Sequence, residues 1–506
     1  MNSDGVLKTF LNGESILTKS VPEVGLDTFL QGIVDLTGLG WRIASYFGVP
    51  DKEGVTLWCI LAGNDQRLGV CRSWTEESLP SITATCPEAH LFEREIAEQC
   101  GIPVTDHPWF KPLRYQRSIR RGHDAWGRTK DDTILPGVGA FYRVEGSEIH
   151  EVAVGPVHAG IIEPGHFRFQ CHGETVFHLE IALGYQHRGI ERALAGGPHA
   201  ATMAQMETMA GDTTIGHATA YAMIREGLAG VEVPQRAQNI RGIALELERL
   251  ANHCGDLGAL AGDVGFLPSM SYCGRIRGDF LNMSALLCGS RFGRGLVRPG
   301  GVYFDASAET AAELHRRMAE ARRDYSGAVE LLWNSATVMS RFERTGRVSN
   351  QDALALGLVG PAARACGIVR DVRHNHPFGC YRALQPIVCV ETGGDVLARA
   401  RVRWQESLAA FDLISTMLKE LPPGDILIPC ARPHRERLSA ALVEGWRGEI
   451  CHVAISDATG AFLHYKVTDP SFHNWNALAM ALRNGQISDF PLCNKSFNLS
   501  YCGVDL

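Results

Sequence analysis

Glu207-Thr-Met-Ala-Gly-Asp-Thr-Thr-Ile-Gly-His-Ala-Thr-Ala-Tyr221 lies in a stretch, about 199–228, whose apolar residues recur every three or four positions. That period predicts a helix. Stretches near 235–261, 307–342 and 396–420 carry the same period, so most of the second half reads as a helical bundle. The quoted segment sets Asp212, Thr213, Thr214 and His217 close together. Such a group can hydrogen-bond ordered water or a small oxygen-bearing molecule, or be filled by its own side chains.

Upstream of the bundle, Phe167-Arg-Phe-Gln-Cys and Thr175-Val-Phe-His-Leu-Glu-Ile predict short strands. Val55-Thr-Leu-Trp-Cys-Ile-Leu-Ala and Arg67-Leu-Gly-Val-Cys-Arg-Ser-Trp predict two more. Pro87 to Cys100 has helical periodicity, and Gly101 suits a left-handed cap just beyond it. Pro103, Pro108 and Pro112 then interrupt regular structure, and 110–135 is rich in Arg and Gly. The expected organisation is an α+β domain over 1–110, an extended linker over 111–150, and a mainly helical domain with a small β portion over 151–506.

Bulk properties exclude several classes. With 21% charged and 45% hydrophobic residues the composition is that of an ordinary globular chain. A formal charge of −7 gives no reason to expect a nucleic-acid partner. No apolar run reaches the ~18 residues of a membrane span. The start, Met-Asn-Ser-Asp-Gly, lacks the build of a secretory signal, so the 15 cysteines are expected as free thiols in a reducing compartment. None of them form Cys-x-x-Cys, which self-ligated iron–sulfur clusters and zinc ribbons usually need. Cys171-His172 with His178, and His374-x-His376, are loose groupings better read as buried thiols and hydrogen-bonded imidazoles. Rossmann, Walker A, Gly-x-Ser-x-Gly and His-Glu-x-x-His signatures are missing from the sequence.

Ordered motifs identify a resemblance. Phe92-Glu-Arg-Glu-Ile-Ala-Glu-Gln-Cys-Gly-Ile102 with His107-Pro is similar to the 30 kDa subunit of respiratory complex I, over residues 1–135. Gly155-Pro-Val-His158, Leu183-Gly-Tyr-Gln-His-Arg-Gly-Ile-Glu191 and Glu248-Arg-Leu-Ala-Asn-His253 resemble the 49 kDa subunit and the [NiFe]-hydrogenase large subunits that share its fold. Arg298-Pro-Gly-Gly-Val302, Gly360-Pro-Ala-Ala-Arg-Ala-Cys-Gly367 and Gly394-Asp-Val-Leu-Ala-Arg399 continue that resemblance. Glu163-Pro-Gly-His-Phe-Arg168 looks more like the membrane-bound, energy-converting hydrogenases of the formate hydrogenlyase and hydrogenase-4 type.

The resemblance sharpens what is missing. Two hydrogenase segments each present Cys-x-x-Cys to the metal; here those positions are Ala210 and Thr213, then Ser500 and Gly503. Methyl, hydroxyl and hydrogen do not replace thiolates, so no nickel is expected. Cys502 is one residue out of register, and its sulfur is expected to point away. The removable tail of hydrogenase large subunits has no counterpart in a sequence ending at Leu506.

The same comparison implies roles residue by residue. His187 and Arg188 match a His-Arg-Gly that packs toward a 4Fe–4S cluster in a small partner subunit, where a guanidinium raises the cluster potential; an ion pair with Glu191 is the plainer alternative. Glu163 matches a proton-relaying glutamate, which an apolar setting would suit to proton transfer near neutrality. Of the complex I quinone donors only His158 remains, because the tyrosine position is Gly211 and the second histidine position Ile162. Glu163, Asp212 and His217 are other groups able to meet a quinone. Arg364 and Arg399 read as structural salt bridges.

The implied function is an electron-transfer subunit of a complex I-related oxidoreductase, acting only within the complex. It would be peripheral on the cytoplasmic side of the membrane. Its expected partners are a 20 kDa-type iron–sulfur subunit, a ferredoxin-like cluster subunit and a membrane arm. The chain itself would hold no cofactor; its acceptor would be a quinone, with proton translocation coupled to the transfer. A scaffold with a degenerate metal-free site, and a hydrogenase with atypical ligands, are the alternatives.

Overall fold

Strand pairing by the first residues sets the architecture, because the first two strands join two different sheets. The computed structural model describes residues 6–51, 53–137, 139–160 and 162–506. β1 (Lys8–Leu11) joins the first antiparallel sheet, while β2 (Ser15–Leu17) joins the last. After α1 (Leu26–Gly38), the first sheet is completed by β3 (Arg42–Pro50), β4 (Val55–Ala62) and β5 (Arg67–Thr75) in the order β1-β5-β4-β3. α2 (His90–Cys100) ends at Gly101, whose φ of 69° gives the left-handed cap that its sequence position predicted.

α2 is buried on more than its apolar face. Phe92 packs on Phe472 at 4.9 Å, while Glu93, Glu95 and Glu98 are also buried. Each carboxylate is satisfied from outside the helix. Glu93 accepts from Ser81, Ile82 and Thr83; Glu95 pairs with Arg114 and Lys466; and Glu98 accepts the Arg114 amide at 2.7 Å. Buried charges persist only with such partners. Arg114 belongs to the stretch between Thr105 and Ile149, which runs without regular strand or helix and presses against the rest of the chain.

Next come β6 (Ile149–Val154), β7 (His166–His172) and β8 (Thr175–Ala182), an antiparallel sheet in the order β8-β7-β6. α3 (Ile190–Leu194) leads to α4 (Thr202–Glu207) and α5 (Thr214–Ala229). The continuous helix expected over 199–228 is therefore broken at 208–213. The Thr208 hydroxyl donates to the Ala204 carbonyl, and the Glu207 side chain is drawn off to the Gly295 amide and Arg298. α6 (Gln235–Asp263) spans 29 residues and doubles back into α7 (Leu267–Cys288), a helix not expected from periodicity. α8 (Ala308–Trp333) stops before a short helix over Ala336–Phe342, because Ser335 caps a new start. α9 (Val396–Lys419) closes the bundle against α6.

A sheet with buried central strands follows: β9 (Arg437–Gly445), β10 (Gly448–Ser456) and β11 (Phe462–Thr468), in the order β11-β10-β9-β2. It occupies part of the half read as bundle. Burial on both faces removes the alternation that marks a strand. α10 (Pro470–Leu482) and α11 (Phe490–Phe497) lead to the C-terminal loop. One apolar core runs from Leu7 to Val504, so the N-terminal sheet and the helical half are joined through buried side chains. No helix among the described residues is long and apolar enough to cross a membrane.

Candidate functional site

The break between α4 and α5 puts residues 208–213 opposite the loop 499–506. Asp212 lies in a two-pronged ion pair with Arg447, at 2.6 and 2.8 Å. Arg447 comes from the β9–β10 turn and stacks on Trp446 at 3.9 Å. The Trp446 indole N–H and the Asn252 amide both donate to the Asp212 carbonyl at 3.0 Å. Burial pushes the Asp212 carboxyl up, but the Arg447 guanidinium outweighs it and holds the group below the usual carboxylate range. Arg447 also donates to the Thr213 hydroxyl at 3.3 Å. A guanidinium thus fills space between the two loops.

His217 turns inward, away from Asp212. Its Nε2 lies 3.1 Å from Asp469 Oδ2, and its Nδ1 3.1 Å from His452 Nε2. His452 Nδ1 in turn lies 2.8 Å from the Tyr465 hydroxyl. All four side chains are buried. Burial and the neighbouring His217 push His452 well below its ordinary pKa, keeping it neutral. Asp469 accepts from His217 Nε2–H, and the row continues through His452 to the Tyr465 hydroxyl.

Asp469 connects this row to the opposite wall. A Cβ on Gly503 would come within 2.7 Å of its carboxyl carbon, closer than side chains pack. The Gly503 amide donates to Ser500 Oγ at 2.9 Å, and the Ser500 amide to Ser471 Oγ at 2.8 Å. Ala210 is buried. The four positions therefore offer one hydroxyl engaged by Gly503, one engaged by Arg447, a methyl and a hydrogen. That donor set does not suit a soft metal, and Gly503 has no room for a larger side chain without displacement.

Glu163 is half-buried against the C-terminal loop, and its Oε2 accepts the Tyr501 amide at 3.2 Å. The Cys502 sulfur was expected to point away. Instead it lies 3.5 Å from Ser500 Oγ and hydrogen-bonds Glu163. Burial, with Glu163 beside it, pushes this thiol up to about 12, so it remains protonated and can donate. His158 Nε2 lies 2.9 Å from the Gly165 carbonyl and so braces the Glu163 turn. Gly165 itself lets the Tyr501 ring approach, since a Cβ there would sit 2.5 Å from the ring. Gly211 has open space around it, and Ile162 is exposed.

Arg188 bridges the two loops. Its guanidinium donates to the Thr208 and Met209 carbonyls at 3.1 and 2.7 Å and to the Cys502 carbonyl at 3.3 Å. Glu191, its alternative partner, is instead committed to Lys466 at 2.8 Å and Gln99 at 3.0 Å. The neighbouring His187 is held below its ordinary pKa by burial and by Arg114. Arg364 forms the buried salt bridges expected of it, with Glu406 and Glu444 at 2.7 and 2.8 Å. Arg399 departs from that expectation: it donates to Ser496 and the Gly346 and Gly394 carbonyls, and lies over Phe497 at 4.1 Å.

Sequence reading missed Arg447, His452, Tyr465 and Asp469, because each arrives from an element distant in sequence. Only Asp469 carried a local signal, Asp-Pro-Ser at a helix start, where its side chain accepts the Ser471 amide. Glu248 opens the Glu248-Arg-Leu-Ala-Asn-His253 motif, but its role was not read from the sequence. It accepts the Ile215 and Gly216 amides at 2.7 and 3.2 Å and so caps α5 from another helix.

Comparison with known proteins agrees with this architecture. Residues 30–123 match the family described as the respiratory-chain NADH dehydrogenase 30 Kd subunit, and residues 263–441 the 49 Kd subunit. The chain is 31% identical over 477 residues to formate hydrogenlyase subunit 5 of Escherichia coli, covering 92% of this chain and 82% of that protein. It is 29% identical to hydrogenase-4 component G of the same organism, covering 84% and 75%. The C/D component of NADH-quinone oxidoreductase from Bacteroides thetaiotaomicron is 26% identical, covering 86% and 88%. With both segments matched in order on one core, the chain belongs to the fused 30 kDa/49 kDa-type subunits of complex I and the related energy-converting hydrogenases.

Proposed function

We propose that this chain is an electron-transfer subunit whose working surface is the junction of loops 208–213 and 499–506. Electrons arrive from a 4Fe–4S cluster of a small partner subunit at Arg188 and pass to an acceptor, a quinone, held against the same junction. The observation that carries this reading is Arg188: an exposed guanidinium fastened to both loops, able to stabilise added negative charge on a neighbouring cluster. His187 stands beside it. The wall facing the acceptor is formed by Glu163 and the Cys502 thiol, with His158 bracing the turn. Glu163 accepts hydrogen bonds and can exchange a proton as the acceptor is reduced. Asp212 and His217 are assigned positioning roles, since each is engaged by its own buried partner. Further partners on this reading are a ferredoxin-like cluster subunit and a membrane arm, with the chain peripheral on the cytoplasmic face and proton movement coupled to the transfer.

A potentiometric titration of the assembled complex, followed by electron paramagnetic resonance, tests this. R188Q should lower the midpoint potential of the nearest cluster by on the order of tens of millivolts. E163Q should slow electron flux with that potential unchanged. An unmoved potential in R188Q would remove the cluster-facing role. Arg447 filling the space between the loops supports a second reading, a scaffold that positions the small subunit without carrying electrons. Normal flux in both E163Q and R188Q with intact assembly would favour it.

A further inference from the structure

A second cleft, of about 280 Å³, is enclosed by the start of α2, the extended segment, β8, α10 and Val504 on the far side of the C-terminal loop. Aliphatic side chains line most of it, and aromatic rings part of it. Trp109 and Tyr142 meet edge-on at 5.7 Å, and Tyr142 tilts against His178 at 4.7 Å. Two cations line it, in unlike circumstances. Lys111 is neutralised by the adjacent Glu180 carboxylate. Arg94, only 8% exposed, has no ion pair among the described residues. Its Nε and Nη2 donate to the Lys111 and Pro112 carbonyls, both at 2.8 Å, and Nη1 makes no hydrogen bond among the described residues. Glu98, one helical turn further on, acts on Arg94 by its charge but does not bond it, its oxygens accepting the Arg114 and Gln116 amides at 2.7 and 3.1 Å. Tyr115 also lines the cleft at 7% exposure, and its hydroxyl makes no hydrogen bond among the described residues. It lies near enough to Arg94 for the guanidinium to oppose the upward push of burial on its pKa.

A buried guanidinium with no carboxylate bonded to it is costly, and an anion entering the cleft relieves that cost. The geometry points to a binding site for a single-ring aromatic monocarboxylate, its carboxylate on Arg94 and the Tyr115 hydroxyl and its ring against the aromatic side chains. The volume admits roughly one ring and its carboxylate. A paired anion–guanidinium contact would supply the selectivity and the rings the affinity. This site is independent of the electron-transfer reading.

The test is isothermal titration calorimetry of the purified full chain, or of its complex, with benzoate, benzamide and acetate. Benzoate should bind saturably, with benzamide and acetate each at least about tenfold weaker. Y115F should weaken benzoate by about fivefold with an unchanged melting temperature. R94M should abolish binding; if it does not fold, Y115F and the benzamide comparison decide. Absence of saturable benzoate binding, equal affinity for benzamide, or unaltered affinity in Y115F would each overturn the assignment.

Discussion

Glu248 shows how one side chain can shape a loop from a distance and leave a titration signature. It accepts two amides at the start of α5 but has no ion-pair partner among the described residues, and Asp212 is a nearby negative charge. Burial, opposed by those amides and reinforced by Asp212, pushes it from 4.5 up to about 8. A carboxyl raised on folding favours the native state at low pH. That contribution is lost as the pH rises from 4.5 through about 8. E248Q keeps an oxygen for the amides and removes the titration. Its stability relative to the native protein should therefore improve steadily between those limits in urea melts at several pH values. A difference that stays flat with pH would rule out Glu248 as the group responsible. Gly503 offers a second test at this scale. Its missing Cβ accommodates the Asp469 carboxyl, so G503A should destabilise by about 1–3 kcal/mol in denaturant titrations. A neutral result would mean that the loop yields easily and that Gly503 does not constrain it.

The elements were legible where local chemistry decided them. α2 and its Gly101 cap, β4 and β5, and α6 and α9 lie close to where their periodicity placed them. Failures came where a distant partner decides. The helix expected over 199–228 breaks because Arg298 and Gly295 take Glu207, and α5 restarts on a carboxylate from α6. α7 escaped notice because its buried residues are few, Cys273, Ile276, Phe280 and Met283 among them, interspersed with Gly274 and Gly278. β9 and β10 are buried along nearly their whole lengths, so their patterns carry no alternation. The candidate site divides in the same way. Glu163, His158, His187 and Arg188 were found by their motifs, whereas Arg447, His452 and Tyr465 had no neighbour in sequence to announce them. The Cys502 sulfur was misplaced because register alone ignored the turn by which Tyr501 and Cys502 close over Glu163.

At the scale of the molecule, the N-terminal sheet is attached by charge as well as by apolar packing. β3 sends Arg42 into a buried pair with Glu449 on β10. Glu88 accepts the Ile43 amide at 3.3 Å, and Arg370 reaches across to the Gly40 carbonyl at 2.9 Å. Two guanidiniums and two carboxylates thus meet where the first hundred residues rest on the remainder. Removing one partner of such a pair leaves its mate buried and uncompensated, which typically costs about 3–5 kcal/mol. R42M should impose a penalty of that size, concentrated at this contact. Because α6 stays packed on α7 and β9 paired with β10, the rest of the fold has its own support. Denaturant unfolding of R42M followed at two probes, one on the N-terminal sheet and one in α6–α7, should split into two transitions, with the N-terminal probe moving first. Coincident transitions at both probes would show that the apolar core alone couples the halves and that the Arg42–Glu449 pair is incidental to their cohesion.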